Sequence, residues 1–72
     1  SDFKEESGII YCLSRKKVDD LTLFLNKKGY EAYSYHAGLS QSKRTETQEN
    51  FLLKEKVIVV ATIAFGMGID KP

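Results

Sequence analysis

Only one cysteine, Cys12, stands in the 72-residue sequence. It has no partner for an internal disulfide and no companions that could help it bind zinc. It reads as a small hydrophobe inside a strand, and a reducing, intracellular setting fits it. No apolar run approaches the ~20 residues of a membrane span. The start, Ser1-Asp2-Phe3-Lys4-Glu5-Glu6, is polar and acidic, unlike a signal peptide. Neither sign of charge dominates: the formal net charge is +1, which excludes a basic footprint over the whole chain and leaves room for a local one. There is no Gly-x-x-x-x-Gly-Lys-Ser/Thr phosphate cradle. No pair of carboxylates is spaced for catalysis, and no acidic cluster at the end of an apolar strand is placed to hold magnesium. No catalytic residue and no metal site is therefore expected within the chain, and alone it should not hydrolyse a nucleotide. It begins without Met and ends at Pro72, so residues 1–72 read as one domain excised from a longer protein.

What is present is ordinary for a soluble globular chain: 42% hydrophobic and 29% charged residues. At this length a core is marginal, yet apolar runs such as Val57-Ile58-Val59-Val60-Ala61 require burial, which argues against disorder. After a polar lead-in over 1–7, Gly8-Ile9-Ile10-Tyr11-Cys12-Leu13 reads as a strand. Ser14 is placed to cap a helix whose inner face carries Val18, Leu21, Thr22 and Leu25. Gly29 stands where a helix C-terminal glycine belongs, with Lys27 and Lys28 favourable to the helix dipole. Ala32 to His36 alternates as a half-buried strand. Ser40 or Ser42 caps a second helix over 41–54, with Thr45, Gln48, Phe51 and Leu52 as a thin apolar stripe. Val57 to Ala61 is an unbroken β-branched run, the pattern of a strand covered on both faces. The order β-α-β-α-β implies an α/β fold with a parallel sheet and right-handed crossovers. Two sheet edges are left unpaired, so the isolated chain is expected to be marginally stable or to self-associate.

In open α/β sheets, ligands bind beyond the carboxyl ends of the strands. Three loops lie there: Ser14-Arg15-Lys16, His36-Ala37-Gly38-Leu39-Ser40 and Thr62 to Pro72. Two of them run into helix N-termini, which suit a phosphate. Arg15, Lys16, Lys43 and Arg44 sit in first helical turns, where positive charge opposes the dipole; a solvated surface and contact with phosphate both account for them. In the third loop, Gly66 and Gly68 allow close backbone approach and Asp70 could accept from a ribose hydroxyl. The same spacing also fits a tight loop with a capping Asp. His36 has no Ser, Cys or carboxylate partner at recognisable spacing, so a hydrogen-bonding role is favoured over acid–base work. Tyr30, Tyr33 and Tyr35 read as packing on the second strand in preference to a base-stacking platform.

Three blocks then resemble one family in its own order. Gly8 to Arg15 resembles motif IV of RecQ-type DNA helicases. Tyr35-His36-Ala37-Gly38-Leu39, with Arg44, Gln48 and Phe51, resembles the segment that follows. Val59 to Pro72, with Ala64-Phe65-Gly66-Met67-Gly68-Ile69-Asp70-Lys71-Pro72, resembles motif V. DEAD-box RNA helicases share the layout but usually carry Asp and Arg where Ile63 and Met67 stand. The resemblance implies part of a second RecA-like lobe, a three-layer parallel fold of the P-loop NTPase type that ends before motif VI. The parent would be an ATP-dependent 3′–5′ DNA helicase of repair and recombination, translocating on single-stranded or forked DNA. Ser14, Arg15, His36, Ala37, Gly38 and Thr62 would face the DNA backbone; Gly68 and Asp70 would lie near ATP. Magnesium would be held by the first RecA-like lobe of the same parent, and zinc would belong to the parent alone. Such a protein works inside the cell, in the cytoplasm or nucleoid of a bacterium or the nucleus of a eukaryote, with no membrane partner. The alternatives are a DEAD-box-like RNA helicase lobe and an ATP-independent nucleic-acid-binding module.

Overall fold

The computed structural model describes residues 7–62. Three strands, β1 (Gly8–Tyr11), β2 (Glu31–Tyr35) and β3 (Val57–Ala61), alternate with two helices, α1 (Arg15–Lys27) and α2 (Gln41–Leu53). All pairing is parallel, in the order β1-β3-β2. The last strand in sequence therefore takes the middle of the sheet. Its composition explains the place: Val57, Val59, Val60 and Ala61 are completely buried, and only a central strand covered on both faces hides such a run.

The chain crosses from β1 over β3 to β2, then turns back to β3. With right-handed crossovers the two helices fall on opposite faces, giving three layers. Val57, Val59 and Ala61 form one core with Phe51 of α2, and Ile9, Tyr33 and Tyr35 pack against it. The alternate residues of β3 face α1, where Val18 is the one fully buried helical side chain.

Both helices start as expected from their serines. Ser14 Oγ accepts from Lys17 N at 3.1 Å and Ser40 Oγ from Lys43 N at 3.1 Å; Ser40, not Ser42, is the second cap. Helix α1 ends at a left-handed Gly29, φ +97°, a conformation that side-chain-bearing residues disfavour. Lys28 Nζ stands 5.4 Å from the centre of the Phe24 ring, in range for a cation–π contact.

Some expectations need correction. Strand β1 ends at Tyr11, and Leu13 is 98% exposed: it lies past the last ladder bond, Cys12 N to Ala61 O at 2.8 Å. Strand β2 runs from Glu31 to Tyr35, so His36 is in the loop. The buried positions of α2 are Thr47 and Phe51, one turn apart, whereas Leu52 is exposed. Thr47 is drawn in because its hydroxyl donates to Ser34 O at 3.2 Å.

The outer edge of β2 is closed by side chains. The Asn26 carboxamide donates to Ala32 O at 3.0 Å and accepts from Ala32 N at 2.9 Å, in the manner of a neighbouring strand, and Thr47 satisfies Ser34 O beside it. Edge backbone treated this way offers little to another chain.

At the other end of β2, Lys54 Nζ donates to Glu31 at 2.8 Å and the Tyr33 hydroxyl donates to the same carboxylate. The Lys54 ammonium, then the Tyr33 hydroxyl, hold the Glu31 carboxyl below its ordinary value. The hydrogen bond to Glu31 pushes Tyr33 up, with burial adding to it. A depressed native carboxyl binds fewer protons than the unfolded one, so its stabilisation is full above the unfolded value and fades as pH falls through the native value. Because Glu31 and Lys54 are 42% and 51% exposed, Glu31→Gln should cost less than about 1 kcal/mol at neutral pH. It should also flatten the acid limb of a stability–pH curve. An unchanged acid limb would show that the contact does not persist in solution.

Candidate nucleic-acid interface

Register gathers the exits of all three strands. Tyr11, Ala61 and Tyr35 are level across the sheet, and Thr62 N donates to Tyr35 O at 3.2 Å. The chain therefore leaves β1 through Cys12-Leu13-Ser14, β2 through His36 and β3 through Thr62 along one edge. The N-termini of α1 and α2 open on that edge, each with first-turn N–H groups that lack helical acceptors.

His36 is the anchor of this edge. It is 6% exposed, with Nε2 3.1 Å from Asp19 Oδ1 and Nδ1 accepting from Gly38 N at 3.0 Å. Both contacts are satisfied together by the Nε2–H tautomer: Nδ1 must be bare to accept from Gly38, so Nε2 carries the proton and donates to the carboxylate. No carboxylate stood at recognisable spacing from His36 in the sequence; the fold supplies one. Asp19 is 17 residues away in sequence and reaches the ring because it lies one turn beyond Arg15 on α1.

The loop is tied from inside at every step. Leu39 N donates to His36 O at 3.2 Å. Arg44 Nη1 donates to Leu39 O, and to Ala37 O at 3.3 Å, while Nη2 donates to Gln41 Oε1 at 3.1 Å. Arg44, weighed above as a phosphate contact, is occupied in fastening backbone carbonyls. Ala37 N–H has no partner among the described residues and Ala37 is exposed.

Arg15 supplies the charge. It is exposed, and no hydrogen bond or ion pair engages its guanidinium among the described residues. Its Nη1 would lie 3.3 Å from a Cβ placed on Gly38, and His36 Nδ1 and Cε1 3.1 Å from it. That close approach explains why the position suits glycine. Of the expected contacts, Arg15 is brought beside Gly38 and His36; Ser14 precedes Arg15 as the cap of α1, and Thr62 follows the neighbouring strand. Gly68 and Asp70 lie outside the described residues.

Other features of the edge point elsewhere. Lys16 pairs with Asp20 at 3.0 Å and Lys43 approaches Glu46 at 4.0 Å, both in the open. A cavity of about 270 Å³ along the edge of β2 is lined by Asp19, Glu46 and Lys43 among others; two carboxylates against one lysine suit no phosphate. Among the described residues no cluster of three or more His, Cys, Asp or Glu could hold a metal ion, and no helix is long and apolar enough to cross a membrane.

Sequence reasoning found the loops but missed the fastenings, Asp19 to His36 and Arg44 to the carbonyls. For the first, spacing carried no signal, because the contact depends on how α1 lies across the end of β2. For the second the signal was an arginine one turn into a helix that follows a glycine-bearing loop.

A parallel three-layer sheet with its helix N-termini and a free arginine on the carboxyl edge is a partial lobe of the RecA-like class. Comparison with known proteins agrees, the helicase conserved C-terminal domain matching residues 2–72. The chain belongs to that family, and within it to the RecQ type. It is 53% identical over 68 residues to ATP-dependent DNA helicase RecQ of Pasteurella multocida, which covers 94% of this chain and 11% of that protein. It is 48% identical over 67 residues to the RecQ-like DNA helicase blm-1 of Caenorhabditis elegans, 93% of this chain and 7% of that one. ATP-dependent DNA helicase Q1 of Rattus norvegicus is 47% identical over 70 residues, 97% and 11%. The chain thus spans roughly a tenth or less of the length of these relatives.

Proposed function

We propose that this chain is the DNA-gripping part of the second motor lobe of an ATP-dependent DNA helicase. The observation that carries the reading is the convergence of Arg15, unpaired among the described residues, with the fastened His36-Ala37-Gly38 loop, between two helix N-termini. The free donors there are the Arg15 guanidinium, the Ala37 N–H and the first-turn N–H groups that the capping serines do not engage. All are suited to phosphate oxygens and none reads a base, so the grip is independent of sequence and weakens with salt. Ser14, whose oxygen already accepts from Lys17 N, still has its hydroxyl proton to offer. Thr62 adds a hydroxyl at the same edge.

In this reading Gly68 and Asp70 face ATP, and the loop that carries them joins the nucleotide to the DNA through Thr62. Such a loop couples the two ligands because each biases the same element. By the chain's likeness to the family, magnesium would be held by the first RecA-like lobe of the parent, and any zinc by its other regions. The parent would move 3′ to 5′ on single-stranded or forked DNA, unwind duplexes in repair and recombination, and work inside the cell. Alone, the chain would be inactive.

Ile63 and Met67 favour DNA over RNA as the stimulating strand. The test is ATP hydrolysis by the full-length protein with single-stranded DNA or RNA of matched length and salt. Strong stimulation by DNA and little by RNA is expected. Stimulation by RNA would move the reading to an RNA helicase, and no hydrolysis would leave a binding module that works without ATP.

A further inference from the structure

The edge that is to bind phosphate carries a carboxylate close to its arginine. Asp19 is on α1 one turn from Arg15, its side chain 55% exposed. On electrostatic grounds alone, a carboxylate here repels a nucleic-acid backbone and should be a liability. Its hydrogen bond says otherwise. The Asp19 carboxylate fixes the proton of the buried His36 on Nε2, which leaves Nδ1 as the acceptor that pins Gly38 N. Without Asp19, the buried Nε2–H loses its acceptor among the described residues, and only the Gly38 N–H is left to favour this tautomer. The Nδ1–H form would turn a donor toward the Gly38 N–H, and the loop would have to move. With Gly38 N no longer held inward, the outward set of Ala37 N–H and the seat beside Arg15 are no longer defined.

We infer that Asp19 is a positioning residue of the DNA-binding edge, acting through the His36 tautomer to hold the Ala37–Gly38 backbone in its phosphate-facing shape. The inference rests on the function proposed above. Asp19 touches no ligand. Its charge opposes binding while its hydrogen bond promotes it, and the second effect is the larger. A buried polar ring is held rigidly only when both its nitrogens are satisfied, and here Asp19 and the Gly38 N–H satisfy those of His36.

The two effects have opposite signs, which makes the test sharp. In the full-length protein, single-stranded DNA affinity is measured by fluorescence anisotropy, together with the DNA concentration that half-saturates ATP hydrolysis and the rate at saturation. Asp19→Ala is expected to weaken DNA binding about fivefold, the worth of one lost hydrogen bond, although it removes a negative charge. The half-saturating DNA concentration should rise in step while the saturated rate is largely kept. Asp19→Asn, whose carboxamide oxygen still accepts from Nε2–H, should bind at least as well as the natural protein. Adding Asp19→Ala to His36→Ala should bring no further loss.

Binding that stays level or tightens in Asp19→Ala would overturn the inference, since charge alone would then decide. Equal loss in Asp19→Asn would also overturn it. Arg15→Ala in the same assay separates this from the parent reading. Loss in Arg15→Ala without loss in Asp19→Ala sinks only the inference. No loss in either sinks the DNA-binding edge itself.

Discussion

Phe51→Ala is expected to cost about 3–4 kcal/mol and to free α2 from the sheet. The reason is how little holds that helix. Thr47 and Phe51 are its only buried side chains among the described residues, at 4% and 6% exposure, whereas Leu52 and Leu53 are 43% and 83% exposed. Phe51 is the one large apolar group of α2 in the core with Val57, Val59 and Ala61. Thr47 to Ser34 O and Gln48 to the Tyr35 hydroxyl at 2.8 Å orient the helix but bury little apolar surface. Truncating the ring leaves a cavity that the tightly packed Val57, Val59 and Ala61 of β3 cannot collapse to fill. The consequence reaches the functional edge, because α2 begins with Ser40 and Arg44, which hold the loop after β2. Hydrogen exchange of residues 41–53 in the full-length protein should accelerate strongly in Phe51→Ala and hardly at all in Leu53→Ala. Equal protection in both would mean that α2 is held by something other than this core.

The contrast between Phe51 and its neighbours shows what the sequence made legible. Elements followed from short-range chemistry: the serines that cap both helices, Gly29 at the end of α1, the β-branched run of β3. The strand order was not legible, since β1 and β3 both read as unbroken apolar runs and nothing in the sequence chose which of them takes the middle of the sheet. Bounds failed where apolar character outran geometry. Leu13 continues the hydrophobic run of β1 but lies beyond its partner strand, and Leu52 is apolar yet stays 43% exposed outside the core. Thr47 is buried for its hydroxyl, and a search for an apolar stripe passes over it. The site followed the same rule. Its loops were readable because parallel sheets present ligands at the carboxyl edge. The pairing of Asp19 with His36 was not, because it depends on how α1 lies across the end of β2, a tertiary placement that no spacing encodes.

The two arginines are expected to separate by chemistry. Arg15 has no protein partner among the described residues and lies beside Gly38; Arg44 spans the carbonyls of Ala37 and Leu39 and the Gln41 side chain. A cation that meets phosphate acts mainly through its charge, whereas one that bridges several acceptors acts through its planar fork. Arg15→Lys should therefore keep most of the affinity of the full-length protein for single-stranded DNA. Arg15→Ala should lose about tenfold and reduce the slope of log affinity against log salt by about 0.7, the share of one phosphate contact on a single strand. Arg44→Lys should behave differently. It keeps the charge but cannot hold two carbonyls and an amide at once, so it should weaken binding nearly as much as Arg44→Ala, with the salt slope unchanged in both. That pattern would assign the charge of the grip to α1 and its shape to α2, on opposite faces of one strand. The reverse pattern, with the salt slope reduced by Arg44→Ala and left intact by Arg15→Ala, would mean that Arg44 leaves the carbonyls when DNA arrives and that the loop is remade around the strand.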